Sequence, residues 1–582
     1  MLTQPHFRVI GLLMVSILAL VVLTACSSDA DDDGTAAAPV SPTQAAAARA
    51  TAAPTQAPVV VEPAVTRVVI SHQPVTESNN PGRDSGVVAG FQTKPIHESL
   101  IGYDANTGAL VPQLATSWSL EPDGISLRFK LREGVRFHGD LGEFTARDVV
   151  YSHTQITAED SSHSHKRQYG RATVEVVNDH EVIFALSAPN GEFLWIVSEL
   201  NPTSLDIQSA ADFDILGAPD LTTRPLAGTG FYQFQERAVG QYMRLERVPY
   251  DHWRANAEFP ELEFRWQSEA STRLAALLTE EVHLTQLPVD LKPQAISGGM
   301  SSVLGQQFGQ RAFVIFTGVY GDADYRTYKK QNTPCGFVHC DSPFLDVRVR
   351  RALSKAINRD ELNDGLFGGD GQTMFMNHMF PNNPLFNPDW ERNFPEEYGY
   401  DPAAATTLLA EAGYNSSNPL EVNIDFNRGR PLPQAADVLE VIGGYWRDVG
   451  VKANFLDLDP AALNPAVAGL KYKDHVQLRE APNNPLQSWR VWNSNLVPRG
   501  NGIELPEINT LVGNLLKTMD VDVQNQMLRE LGDITYSLHM TIPLYWVPPE
   551  VLFNPKVISS YNFPGNTPGA YWSHTELIKA AR

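Results

Sequence analysis

Histidine, thiol and carboxylate side chains are what this sequence offers for chemistry, and their spacing decides what they could do. Three histidines crowd the stretch SHTQITAEDSSHSH: His153, His163 and His165. Two imidazoles one residue apart could start a metal site, but a stable one needs three or four ligands at fixed spacing. These histidines are expected on a solvated loop, and no metal site is expected. His138, beside Phe137 in VRFHGD, is expected to be a hydrogen-bonded structural residue rather than a catalytic base. His97-Glu98 opens HESLI, which lacks the second histidine of a zinc-protease helix. Neither G-x-S-x-G nor G-x-x-x-x-G-K-[ST] occurs. Carboxylates are plentiful, 67 Asp and Glu against 45 Lys and Arg, but nothing marks two of them as an acid and base pair. The net charge of −22 speaks against nucleic acid, whose phosphates require clustered cations. No catalytic residue and no cofactor emerges.

Three cysteines remain, and the first depends on how the chain begins. Met1 to Arg8 is mildly basic, Val9 to Val22 is almost unbroken hydrocarbon, and LTAC closes the run at Cys26. That is the pattern of an export signal, too short to span a bilayer comfortably. Leu23-Thr24-Ala25-Cys26 resembles the lipobox of bacterial lipoproteins, which implies cleavage after residue 25 and a lipid on Cys26. Residues 26–65 are mostly Ala, Pro, Thr, Ser and Asp, too poor in large apolar groups to fold, and read as a tether. Outside the cytosol, Cys335 and Cys340 in CGFVHC most simply close a small disulfide loop; metal binding with His339 and free thiols remain the alternatives.

The body from Thr66 onward is long enough for two or three domains. ISLRFKL alternates as a half-buried strand, Glu133-Gly134 turns, VRF predicts a second short strand, and Thr145 with Asp148 makes a capping box for a helix. TVEVV and EVIFAL predict a hairpin around Asn178-Asp179, and Gly228 and Gly230 are expected in a turn. In the second half, Val349, Leu353, Ala356 and Ile357 mark one helical face. Asn358 caps the next helix and Gly368-Gly369 stops it. Asp401 and Pro402 start another helix, which Gly413 ends. LEVNIDF, a helix over 436–450 and VKANF form strand, helix, strand, the βαβ crossover of a parallel α/β sheet.

HESLIGYD, LVPQLATSW, LRFKLREGVRFHGDLGEFTARDVVYS, PLAGTGFYQF…VPYDHW, RLAALLTEEVHLTQLP, FLDVRVRRALSKAINRDEL and MTIPLYW follow one another in an order that resembles the solute-binding proteins of ABC importers, family 5, which take oligopeptides, dipeptides or nickel. The resemblance implies an α/β, two-lobed periplasmic-binding-protein type II fold with an extra subdomain on the first lobe. Lobe I would take 66–310, with 96–224 as the extra subdomain, lobe II 311–545, and 546–582 would return to lobe I. It further implies a monomeric, membrane-anchored receptor that holds a peptide or peptide-like solute and passes it to a permease. Nickel chelates, oligosaccharides and other non-peptide solutes stay open as cargo, and an extracytoplasmic hydrolase is the rival class. Peptide-binding relatives hold the ligand amine with an Asp before a Pro. Here Asn483 and Asn484 stand at that place, offering a hydrogen bond without a countercharge. Trp489 and Trp492 are candidates to stack on cargo, and the loop SNNPGRDSG brings Asn79, Asn80 and Arg83 as first-lobe candidates.

Overall fold

The computed structural model describes residues 63–83, 92–307, 310–324, 329–381, 385–426, 435–457, 469–479, 485–490, 502–565 and 573–582. The export segment, the tether up to residue 62, Cys26, Asn483, Asn484 and Trp492 lie outside them. Among the described residues no helix is long and apolar enough to cross a membrane.

The strands assort into two large sheets. The first has the order Ser301–Leu304, Glu550–Phe553, Leu284–Thr285, Arg67–His72, Glu261–Trp266, Tyr242–Arg247 and Tyr232–Ala238. The second has the order Gln372–Thr373, Thr541–Val547, Gln310–Thr317, His475–Arg479, Glu421–Phe426 and Lys452–Asp457. Each carries its own apolar core, one built around Ile70, Leu262 and Phe264, the other around Val314, Leu353 and Trp446. The result is a two-lobed α/β molecule. The chain passes between sheets twice, after Leu304 and after Val547, and the passages are neighbours: Gln310 pairs with Val547 and Arg311 with Trp546, while Leu304 pairs with Glu550.

A third core, with Phe129, Phe137, Val149 and Phe184 at its centre, belongs to the extra subdomain, built on the sheet Ala115–Leu120, Leu127–Leu131, Glu181–Leu186, Ala172–Asn178. The expected hairpin is there, and helix Ala146–Thr157 starts with Thr145 and Asp148 in reciprocal contact. VRF is not a strand. Phe137 N–H donates to Gly142 O and Phe144 N–H to Val135 O, and the positive φ of Gly139 and Gly142 curls the loop before a ladder can extend. Gly228 and Gly230 are likewise not turn residues. Neither has positive φ, and a Cβ on them would lie 2.1 Å from Ile96 O and 2.2 Å from Pro95 O. They are glycine because two backbones touch there.

In the second lobe the sequence signals act as expected. Asn358 accepts from Glu361 N–H at the head of helix Arg359–Phe367, whose end sits at Gly368 with φ +63°. Asp401 accepts from Ala404 N–H at the head of helix Pro402–Glu411. Glu421–Phe426 and Lys452–Asp457 run parallel around helix Ala435–Asp448.

The distant blocks HESLI, PYDHW and SHTEL meet in a buried charge cluster that ties the C-terminal segment to the base of the extra subdomain. Glu98 Oε2 accepts from Thr229 Oγ1 at 2.8 Å and Trp253 Nε1 at 3.0 Å, and Arg254 Nε sits 2.8 Å from Glu98 Oε1. Glu576 pairs with His574 at 2.9 Å and lies 3.9 Å from Arg254. Burial pushes the Glu576 carboxyl up, but the His574 and Arg254 charges outweigh it and hold the group at about 2. A depressed carboxylate contributes stability fully above its unfolded pKa and loses it as pH falls through the folded value. Glu576→Gln is therefore expected to cost roughly 3 kcal/mol at neutral pH. It should also flatten the fall in stability between about pH 4.5 and pH 2. Urea unfolding across that range checks both; an unchanged slope would remove this cluster from the acid response.

Candidate functional site between the lobes

In open sheets, ligands bind beyond the carboxyl ends of parallel strands. In the second lobe these are the ends of Glu421–Phe426, Lys452–Asp457 and His475–Arg479, and the short helix Pro485–Arg490 follows the last of them. The start of Gln310–Thr317 and the end of Thr541–Val547 reach the same edge, because both run antiparallel to their neighbours.

A buried polar and aromatic group occupies this edge. The Arg311 guanidinium donates from Nη1 to His378 Nδ1 at 3.1 Å and from Nη2 to Ser488 Oγ at 3.2 Å, and lies 5.3 Å from the Trp546 ring centroid. Burial pushes Arg311 down to about 9. Burial first, and the Arg311 charge second, hold His378 well below the ordinary histidine range, so its ring is neutral and Nδ1 can accept. His378 has φ +74°, a left-handed conformation costing about 1–3 kcal/mol that surrounding contacts must enforce. Trp489 is completely buried and packs edge-on against His378 at 5.1 Å. Its indole is thus part of the second-lobe core, not an exposed stacking platform, which corrects the stacking expectation for this residue.

Facing this edge is the extra subdomain. Arg490 Nη1 lies 3.5 Å from Glu192 Oε2. Burial pushes the Glu192 carboxyl up and Arg490 only partly opposes it. Burial and then Arg490 push the His165 imidazole down to about 4, and His165 Nδ1 is 2.9 Å from Thr203 Oγ1. The histidine stretch is not a solvated loop. His153 and His163 are buried, with His153 Nε2 bonded to Tyr169 O at 3.0 Å. The aromatic rings of Tyr169, Phe184 and Trp195 stand around these histidines and draw them inside. Among the described residues no group of three or more His, Cys, Asp or Glu is placed to hold a metal ion.

The loop after strand Arg67–His72 is pinned mainly to its own lobe. Asn79 Nδ2 donates to Asp220 O and Thr223 O, while its Oδ1 accepts from Arg237 Nη2 at 2.9 Å. That amide is fully committed within the protein. Arg83 turns toward the extra subdomain, to Gln155 Oε1 at 2.9 Å and to Asp160. These contacts engage Arg83 through Nε and Nη1. The Asn80 Oδ1 is buried and has no partner among the described residues, nor do either of the Gln208 side-chain ends or His163 Nε2. Gly82 separates two of these groups; a Cβ there would stand 2.8 Å from Gln208 Nε2 and 3.6 Å from Asn80 Oδ1. His165 N–H donates to His163 Nδ1 at 3.2 Å, and burial pushes the ring to about 4, so the neutral ring carries its proton on Nε2. Gln208 and His163 escaped sequence reasoning because nothing in spacing marks a polar side chain buried without a partner.

His138 is buried, with Nε2 2.9 Å from Gly230 O, and burial pushes it down to about 4. A neutral imidazole joined to a carbonyl at a backbone contact is structural. The Cys335 and Cys340 sulfurs are 1.96 Å apart, a bonded pair.

The model of the bacterial extracellular solute-binding proteins, family 5 middle region, matches residues 109–485. The dipeptide-binding protein of Escherichia coli is 26% identical over 393 residues, 64% of this chain and 68% of that protein. Heme-binding protein A of Haemophilus influenzae is 26% identical over 387 residues, 62% of this chain and 64% of that protein. Among solved structures, HbpA2 from Haemophilus parasuis matches with TM-score 0.71 and 20% identity, covering 89% of this chain and all of that one (100%). NikA from Brucella suis in complex with Fe(III)-EDTA matches with TM-score 0.67 and 19% identity, covering 88% and 100%. With two cores joined by paired strands and a family match across most of both lobes, this chain belongs to the bacterial extracellular solute-binding proteins, family 5.

Proposed function

We propose that this protein captures a peptide or peptide-like solute between its lobes outside the cytoplasmic membrane, held there by lipid on Cys26, and hands it to an ABC permease. Members of its family bind solutes for transport and are not enzymes. The observation that supports the cargo reading is the set of buried, unpartnered polar atoms at Asn80, Gln208 and His163 on the first lobe. They supply both acceptors and an N–H donor, the complement of amide groups. Asn483, Asn484 and Trp492 are proposed to complete the wall from the second lobe, without a carboxylate for a ligand amine. Lobe boundaries at 310–311 and 545–546 are proposed as the hinge. Closure on cargo needs tighter binding to the closed state; moving 1:99 to 99:1 takes about 5.5 kcal/mol of differential affinity.

Two measurements test this. Native mass spectrometry of the protein purified from its host should find a small solute bound, with a peptide mass, and return it unaltered on release. A nickel chelate or haem mass in its place would transfer the protein to the other branch of the family, and a chemically changed solute would sink the transport reading. Trp489→Ala, in protein without cargo, is expected to lower unfolding stability by about 3–5 kcal/mol through loss of a buried aromatic. A loss below about 1 kcal/mol would return Trp489 to the list of ligand contacts.

A further inference from the structure

The lobes also touch through a corner of the extra subdomain. Gly191 N–H donates to Leu516 O at 3.0 Å, and Gln524 Nε2 donates back to Gly191 O at 3.0 Å. Asn190 N–H points at Met519 Sδ at 3.2 Å. Met519, from the second lobe, packs its side chain against the extra subdomain's core. Leu516, Met519 and Gln524 all lie at the junction of helices Pro506–Leu515 and Val521–Ser537, whose buried faces belong to the second-lobe core.

We propose that this corner is a latch that holds the lobes together, and that residue 191 is glycine because the latch leaves no room for a side chain. A Cβ at Gly191 would lie 2.5 Å from Gln524 Nε2, 2.6 Å from Thr518 O and 3.0 Å from Leu515 O. Two of these obstacles are backbone carbonyls and cannot rotate away. All three belong to the opposite lobe. Gly191 does not have positive φ, so its own loop would accept an L side chain. The requirement for glycine therefore comes from the contact between lobes and vanishes when they part. A side chain at 191 is an obstacle to the latched state alone, which distinguishes this glycine from Gly228 and Gly230, whose obstacles lie within their own lobe.

The latch makes the extra subdomain an active part of closure, whatever the cargo is. Backbone-to-backbone bonding at Gly191, an apolar plug at Met519 and a charge contact from Glu192 to Arg490 add up to an interface that forms as one unit. The Arg490 contact also links the latch to the helix that lines the candidate site.

Hydrogen exchange of the full-length protein tests this, read at peptides spanning 188–194, with the unfolding midpoint measured alongside. The Asn190 and Gly191 amides should be protected in the wild type. In Gly191→Val they should exchange faster by about tenfold or more, with the midpoint unchanged, and in Gln524→Ala they should also exchange faster, with a lower midpoint because Gln524 Nε2 also donates to Thr518 O within its own lobe. If Gly191→Val fails to fold, Gly191→Ala and Gln524→Ala carry the same reading. Wild-type amides at free-peptide rates, or variants that fold and exchange like wild type, overturn the latch. Adding a casein digest of short peptides separates this from the cargo proposal. Slower exchange with the digest in wild type alone supports both. No response to the digest, with the variants still different, leaves the latch standing and removes peptides as cargo.

Discussion

The constraint on which the rest depends is that one chain must cross between two independent cores twice, and both crossings must lie side by side. Antiparallel pairing of Gln310–Thr317 with Thr541–Val547 meets it. Both strands lie in the second-lobe sheet, flanked by His475–Arg479 and Gln372–Thr373, and the chain passes to the first sheet next to the paired Gln310 and Val547. Lys292 reinforces the crossing, 3.0 Å from Asp370 on one side and 2.9 Å from Glu550 on the other. A joint made of two adjacent strands permits rotation about one line and resists twist or shear. That is the mechanical requirement for a molecule that opens and shuts.

Beside that joint the protein buries an arginine. Removing a guanidinium from water is costly unless its hydrogen bonds are replaced. At Arg311 a neutral imidazole, a hydroxyl and an indole face take that place. The same solution recurs at Arg350, whose donors meet the carbonyls of Phe344, Leu538 and His539. It recurs again at Arg359, bonded to the carbonyls of Pro543 and Tyr398. Burial pushes both down to about 10, so they remain charged at neutral pH. These arginines cross-link the ends of segments that apolar packing alone would leave free to slide. That edge of the lobe, beside the proposed hinge, is thereby cross-linked by buried hydrogen bonds.

Much of the fold was legible from local signals. Alternation marked Leu127–Leu131 and Glu421–Phe426, caps at Thr145, Asn358 and Asp401 fixed helix starts, and strand–helix–strand spacing gave the parallel pair. Signals of this kind are carried within a few residues and survive without knowledge of tertiary structure. What misled was whatever depends on a distant partner. His163 looks like a solvated residue until Tyr169 packs over it. Gly228 and Gly230 look like a turn until residues 95–96 arrive. Among the site candidates, the Asn79 amide has the right chemistry, but Asp220, Thr223 and Arg237 claim it first.

The distribution of contacts between the lobes then separates two roles. Lys292 sits beside the crossing strands, so rotation about the proposed hinge would displace its partners least and its ion pairs would add little to the choice between states. The Gly191 corner belongs to a subdomain with a core of its own, and its partners sit on the opposite lobe's helical layer. Contacts that break completely when the lobes part contribute their whole free energy to the closed state. An extra subdomain that merely decorated the first lobe would have no reason to offer a bare backbone corner to the second. Its burial of Met519 and its loss of a side chain at 191 make sense if its position, unlike that of the hinge, differs between the two states.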